Sequence, residues 1–170
     1  IIVRRLTQIF KLKTYPNEET AAIGHAIDRM LDLHTYNLLV QARIPSINAF
    51  VSFMTRSVLP PFRPLVVAFG TWIGKRIARK RVAGSIGYFS EGEYEELLRN
   101  DLIQLQNILG DKKFLLGKEP TAVDCTAFGH LCAALYAVPT ARFLVHELIE
   151  SPEFTPLNEY IDRVEDRIFG

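Results

Sequence analysis

Apolar residues recur along this chain at intervals of three and four, and no window alternates for long enough to predict a strand. The spacing predicts a short helix over Ile1–Leu12, with Ile2, Leu6, Ile9 and Phe10 on one side. Thr14-Tyr15-Pro16-Asn17 breaks it. Asn17 is then placed to cap a long helix from Glu18 to Arg43, with Glu18 and Glu19 in the first turn, where acids are favoured. Ile23, Ala26, Ile27, Met30, Leu31 and Leu38 form its apolar stripe, and Pro45 ends it. Ser46–Val58 predicts a further helix, carrying Ile47, Phe50, Val51 and Met54. The proline cluster Leu59-Pro60-Pro61-Phe62-Arg63-Pro64 reads as a bend between helices, because apolar pattern resumes at once.

Leu65–Val82 is the next helix, apolar in its first half and basic in its second, closed by Gly84-Ser85-Ile86-Gly87. Ser90 and Glu93 form a capping box for a helix to Leu109, with Leu98, Leu102, Leu105 and Leu109 as its stripe. Gly110 suits a left-handed cap at its end. After a tight loop, Thr121 and Asp124 supply a second capping box. The run that follows to Tyr136 has no formally charged residue over about four turns, the pattern of a helix buried at the centre of a domain. Pro139 ends it, Thr140–Ile149 is helical, and Thr155-Pro156 opens a last helix with Leu157, Tyr160, Ile161, Val164 and Ile168 inward. The expectation is an all-α bundle of about eight helices, with residues 1–170 as a single domain.

Composition narrows the class. At 170 residues with 48% hydrophobic and 23% charged positions, the chain can bury a core without disulfides or metals. A net charge of +1 argues against nucleic acid as its main partner. Cys125 and Cys132 lie seven apart on one helix, roughly 10 Å along the axis, too far to bridge, and read as buried free thiols in a reducing compartment. The chain begins Ile1-Ile2-Val3-Arg4-Arg5 with neither methionine nor a signal-peptide pattern, and so reads as a fragment whose front part is absent. Its longest apolar run, Leu65 to Gly74, is about half of what spans a bilayer.

The run Gly110-Asp111-Lys112-Lys113-Phe114-Leu115-Leu116-Gly117-Lys118-Glu119-Pro120-Thr121-Ala122-Val123-Asp124 resembles the second domain of the glutathione S-transferase fold, before its buried central helix. The continuation Thr126-Ala127-Phe128-Gly129-His130-Leu131 resembles the branch holding metaxins, failed-axon-connections proteins and nematode cadmium-responsive proteins. Ile1–Leu6, Ala26–Tyr36, Gly87–Glu91 and Tyr160–Val164 resemble further pieces of that domain, in the same order. Where the branch tends to have tryptophan after His-x-Tyr, this sequence has Asn37.

The resemblance implies a helical bundle of the glutathione S-transferase C-terminal type, with its thioredoxin-like N-terminal domain absent from this chain. In that family glutathione is held mostly by the absent domain, so no catalytic residue and no cofactor is assigned here. The implied function is a glutathione S-transferase-like protein in which this domain binds a hydrophobic second ligand. If it is an enzyme, the reaction is thiolate addition to an electrophile. The alternative is a non-enzymatic interaction or membrane-associated module, as metaxins are in mitochondrial import. The implied partners are the thioredoxin-like domain, a second copy in a homodimer, or a membrane surface. The implied location is the cytoplasm, or the cytosolic face of a membrane such as the mitochondrial outer membrane.

Several residues carry candidate chemistry. His34, Tyr36, Asn37, Gln41 and Arg43 are polar positions on the helix that faces the interdomain crevice of the resembled fold, as pocket lining or as an ordinary solvated face. Thr121 and Asp124 read as a structural cap and not as a catalytic hydroxyl–acid pair. His130 reads as a hydrogen-bonded core histidine, and no histidine pair has metal-ligand spacing. Lys75, Arg76, Arg79, Lys80 and Arg81, following Trp72, can meet anionic lipid or phosphate, or can simply be a solvated helix end.

Overall fold

Asn17 opens the first helix of the computed structural model, which describes residues 15–136 and 144–169. Its Oδ1 accepts from the Thr20 N–H at 2.8 Å and the Thr20 hydroxyl at 2.8 Å, so α1 (Glu18–Met30) starts where its free N–H groups find an acceptor. The helical path continues through one π turn, Leu31–Thr35, into α2 (Tyr36–Arg43), stopping just before Pro45. α3 (Ile47–Met54) and α4 (Arg63–Ile86) form a hairpin, followed by α5 (Glu91–Leu109) and α6 (Ala122–Tyr136). α7 (Leu144–Ile149), a 3₁₀ turn (Pro152–Phe154) and α8 (Thr155–Phe169) complete it. Among the described residues there is no strand, so the all-α expectation holds. The helix expected over Ile1–Leu12 and the first part of Thr140–Ile149 lie outside the described residues.

The core joins α1, the π turn, α2, α5, α6 and α8. From α5 it takes Tyr94, Leu98, Leu102, Leu105 and Leu109, each leucine contributing roughly 2 kcal/mol by leaving water. Ser90 caps that helix as expected: its N–H donates to Glu93 Oε2 at 2.7 Å and its hydroxyl accepts from the Glu93 N–H at 3.4 Å. Gly110, at φ 51°, and Gly87, at φ 99°, take left-handed conformations after α5 and α4 that a side chain would strain. Leu157, Tyr160, Ile161 and Val164 face inward from α8.

Four expectations need correction. Ile23 is largely exposed and Ala26 faces solvent, because α1 turns only Gly24 and Ile27 inward before the π turn shifts its register. α3 stops at Met54, four residues early, where the chain breaks into turns before the prolines. α4 runs through Gly84 to Ile86, because its backbone bonds continue to the Gly87 N–H, which reaches the Ala83 carbonyl. α6 is not enclosed: Val123, Ala127, Leu131 and Leu135 are buried, whereas Cys125, Gly129, Ala133 and Tyr136 on the opposite line are exposed. An apolar sequence on all sides therefore does not mean burial on all sides here.

Asp124 lies at the start of α6 and is completely buried. Its Oδ1 accepts from the Leu115 N–H at 2.8 Å and from the Tyr160 hydroxyl at 2.9 Å. Its Oδ2 accepts from the Thr121 N–H at 2.7 Å and from the Thr121 hydroxyl at 2.9 Å. Thr121 thus differs from the expected box. Its hydroxyl donates to the acid, and the Asp124 N–H goes instead to the Thr121 carbonyl at 3.1 Å. A rotatable hydroxyl beside a carboxylate gains more by donating. Burial and the neighbouring carboxylate push the Tyr160 phenol well above its ordinary range, which keeps it a donor. Asp124→Ala should lower unfolding free energy by at least about 3 kcal/mol, because several buried donors lose their acceptor together. Asp124→Asn should also destabilise, since its amide places donors against donors. Tyr160→Phe should cost about 1 kcal/mol. Urea unfolding checks all three, and a stable Asp124→Ala would contradict the scaffold role.

Candidate functional site

The π turn is the unusual local feature. Inside it the Tyr36 N–H reaches back to the Leu31 carbonyl, inserting one residue into the turn. Such turns recur at functional positions because they rotate neighbouring side chains out of helical register. Leu31 and Thr35 remain buried, which fixes the turn, while Asp32 and His34 leave it on different flanks.

On one flank, Asp32 Oδ1 meets His130 Nε2 of α6 at 2.9 Å. The His130 ring is tilted against Tyr36, centroids 5.5 Å apart, and the Arg81 guanidinium stands 5.0 Å over the Tyr36 ring. On the other flank, His34 Nδ1 lies 2.8 Å from Asp101 Oδ2 of α5. The buried Thr35 hydroxyl donates to the same oxygen at 2.5 Å. Each acid therefore ties the turn to a different helix. Neither histidine is bonded to a hydroxyl or thiol that it could activate, so both pairs orient and bridge.

The five pocket candidates do not converge. His34 goes to Asp101, and Tyr36 goes to His130 and Arg81. Asn37 is buried and its amide donates to the Leu33 carbonyl and the Ser85 hydroxyl, both at 2.9 Å. Arg43 donates to the Ala133 carbonyl, and burial draws its guanidinium below its usual range. Gln41 alone enters a small cleft between α2 and α5, about 140 Å³, beside Leu38, Tyr94 and Leu98. The helix turns these side chains through different directions, which residue type and proximity in sequence do not reveal. His130 is hydrogen-bonded, at the edge of the core rather than inside it. Among the described residues, no group of histidine, cysteine and acid residues could hold a metal.

The structure adds residues that sequence reasoning missed. Asp101 and Asp32 look like ordinary solvated positions on amphipathic helices, and nothing in the spacing pairs either with a histidine 67 or 98 residues away. Cys125 is exposed, correcting the expectation of two buried thiols, because it falls on the outer line of α6. Cys132 is half-buried. Its thiol is pushed up to about 11, by burial first and then by Glu165.

Comparison with known families places part of this arrangement. Residues 98–164 match the family model of the glutathione S-transferase C-terminal domain. That segment runs from within α5, through the Asp124 cluster, into α8, so its similarity covers the carboxylate and all four of its donors. The helical bundle agrees with that domain type, and α1 to α4 lie outside the matched segment. No solved structure matches the chain.

Two measurements follow from the site. Asp101→Ala leaves the buried Thr35 hydroxyl without its acceptor and should cost about 1–2 kcal/mol in urea unfolding; an unchanged midpoint would contradict the bridge. Thiolate is the reactive form, so near neutral pH Ellman's reagent should modify Cys125 at least about tenfold faster than Cys132. The Cys132 rate should climb as pH approaches its raised value. Cys125→Ser should abolish the fast phase, and equal rates would contradict the assignment.

Proposed function

We propose that this chain is the helical half of a glutathione S-transferase-like protein of the metaxin and failed-axon-connections branch. A thioredoxin-like domain packs beside α6, and the completed crevice holds a hydrophobic second ligand. The observation that carries this reading is the outer line of α6. Cys125, Gly129, Ala133 and Tyr136 are exposed, uncharged and mostly small, so another domain can approach the helix backbone closely. Beside that line stand Tyr36, His130 and Arg81, polar groups suited to the rim of a crevice. The cleft at Gln41, about 140 Å³, falls short of the roughly 300 Å³ at which ligand pockets usually begin. In this reading, a complete pocket at Gln41 takes further walls from a second domain.

In this reading the thiol is bound and activated by the thioredoxin-like domain, and this domain selects the electrophile that the thiolate attacks. The two-domain protein should give saturable heat on titration with glutathione. Gly129→Trp, by blocking the domain contact, should weaken that binding at least about tenfold while the helical bundle stays folded by circular dichroism. A two-domain protein that binds no glutathione would overturn the transferase reading. The rival, an interaction or membrane-associated module, draws on the α3–α4 hairpin, which shares only Arg81 with the crevice rim.

A further inference from the structure

From Leu33 to Ser90 the sequence has eight cations and no acid. With a whole-chain balance of +1, the remainder carries −7. Such separation creates a directional field, strongest over the stretch containing α2, α3 and α4. The same stretch holds the most exposed apolar surface. α3 buries no residue, and α4 buries only Val82. Met54, Leu59, Phe62, Leu65, Phe69 and Trp72 are each between 57% and 72% exposed. Single exposed apolar residues are ordinary, but a contiguous group marks a surface that is covered by something.

The order along α4 indicates what covers it. Leu65, Phe69, Trp72, Arg76 and Lys80 follow one another at three- and four-residue steps, making one ridge. The ridge is apolar over its first part and cationic beyond it, and Phe69 and Trp72 stack at 6.2 Å. Complementarity to the helix dipole does not explain the cations. That effect is confined to the last turn, and α4 continues to Ile86 with no basic residue in its last turn. Among the described residues, none of Lys75, Arg76, Arg79, Lys80 and Arg81 is in an ion pair.

The hairpin tip repeats the pattern. An open cleft of about 730 Å³ is lined by Arg56, Arg63, Ser52 and Ser57 with Leu59 and Val67. Arg63 donates there to the Ser52 carbonyl at 3.2 Å. The turn would lose little on leaving water. Pro60, Pro61 and Pro64 have no N–H, and those of Phe62 and Arg63 donate to the Leu59 carbonyl at 3.0 and 3.1 Å. No helix among the described residues is long and apolar enough to cross a membrane. A second copy would bring one acid-free cationic surface against another.

We propose that the α3–α4 hairpin docks on an anionic phospholipid bilayer. The apolar part of the ridge enters the interface, while the cations of α4 and the tip arginines meet lipid phosphates. This inference rests on the hairpin, and because vesicle binding is read without glutathione it stands or falls separately from the transferase reading.

Trp72 is the only tryptophan in the chain, so its fluorescence reports on the ridge directly. Vesicles of phosphatidylcholine with about one-third phosphatidylserine should shift its emission to shorter wavelength, and added salt should reverse the shift. Neutralising Lys75, Arg76, Arg79, Lys80 and Arg81 to glutamine should weaken co-sedimentation by at least about tenfold. Leu65→Ser with Phe69→Ser should weaken it comparably, while circular dichroism shows the fold retained. An unshifted emission, equal binding to pure phosphatidylcholine, or equal binding by the glutamine variant would each overturn the proposal. So would a concentration-dependent dimer, or a two-domain protein, in which Trp72 is already shielded without lipid.

Discussion

The buried carboxylate of Asp124 is the constraint on which the α5-to-α8 half of this bundle depends. Both of its oxygens are filled by two donors each, from Leu115, Thr121 and Tyr160. A carboxylate out of water is tolerable only when its acceptor sites are taken, and here three segments must arrive together to take them. The loop before α6 is drawn in by the Leu115 N–H, the helix start by Thr121, and α8 by the Tyr160 hydroxyl. The loop itself is closed by paired bonds between Phe114 and Gly117, at 3.0 and 3.1 Å, which present the Leu115 N–H inward. Removing the acid therefore releases three elements, where removing a leucine would leave one cavity.

The π turn plays the corresponding part in the other half. Buried Leu31 and Thr35 hold it in place, and the extra residue sends Asp32 toward α6 and His34 toward α5. Two histidine–carboxylate hydrogen bonds thus fasten the long first helix to both neighbours. They stand at the edge of the core, where protein contacts give way to open surface. α6, part of the family-matched segment, touches this turn through His130, and the C-terminal part of α4 meets the adjoining start of α2 through Arg81 and Ser85. The molecule carries an uncharged exposed line on α6 and a strongly cationic ridge on α4, and the two make different physical demands on whatever meets them.

Local signals fixed much of the helical plan. Asn17, Ser90 and Gly110 each carry a cap that depends on neighbours within four residues, and each cap occurs where the residues imply it. The leucine stripe of α5 is inward for the same reason, since its period is set by the helix itself. The five polar residues from His34 to Arg43 were different. Their directions depend on a π turn that residue types do not announce, and their partners Asp101, Ser85, Arg81 and Ala133 lie far along the chain.

What the sequence by itself determined is the all-helical plan, the breaks between helices and the segregation of charge, because helix period, caps and ionisation are properties of short stretches. Tertiary structure decided which apolar surfaces are covered. α6 and the first half of α4 both read as apolar, yet one contributes a whole face to the core and the other no buried residue. Burial is a relation between a helix and its neighbours, and a sequence states only one side of it. The same holds for Asp124, whose local partner Thr121 is legible three residues away, while Leu115 and Tyr160 reach it only when the bundle closes.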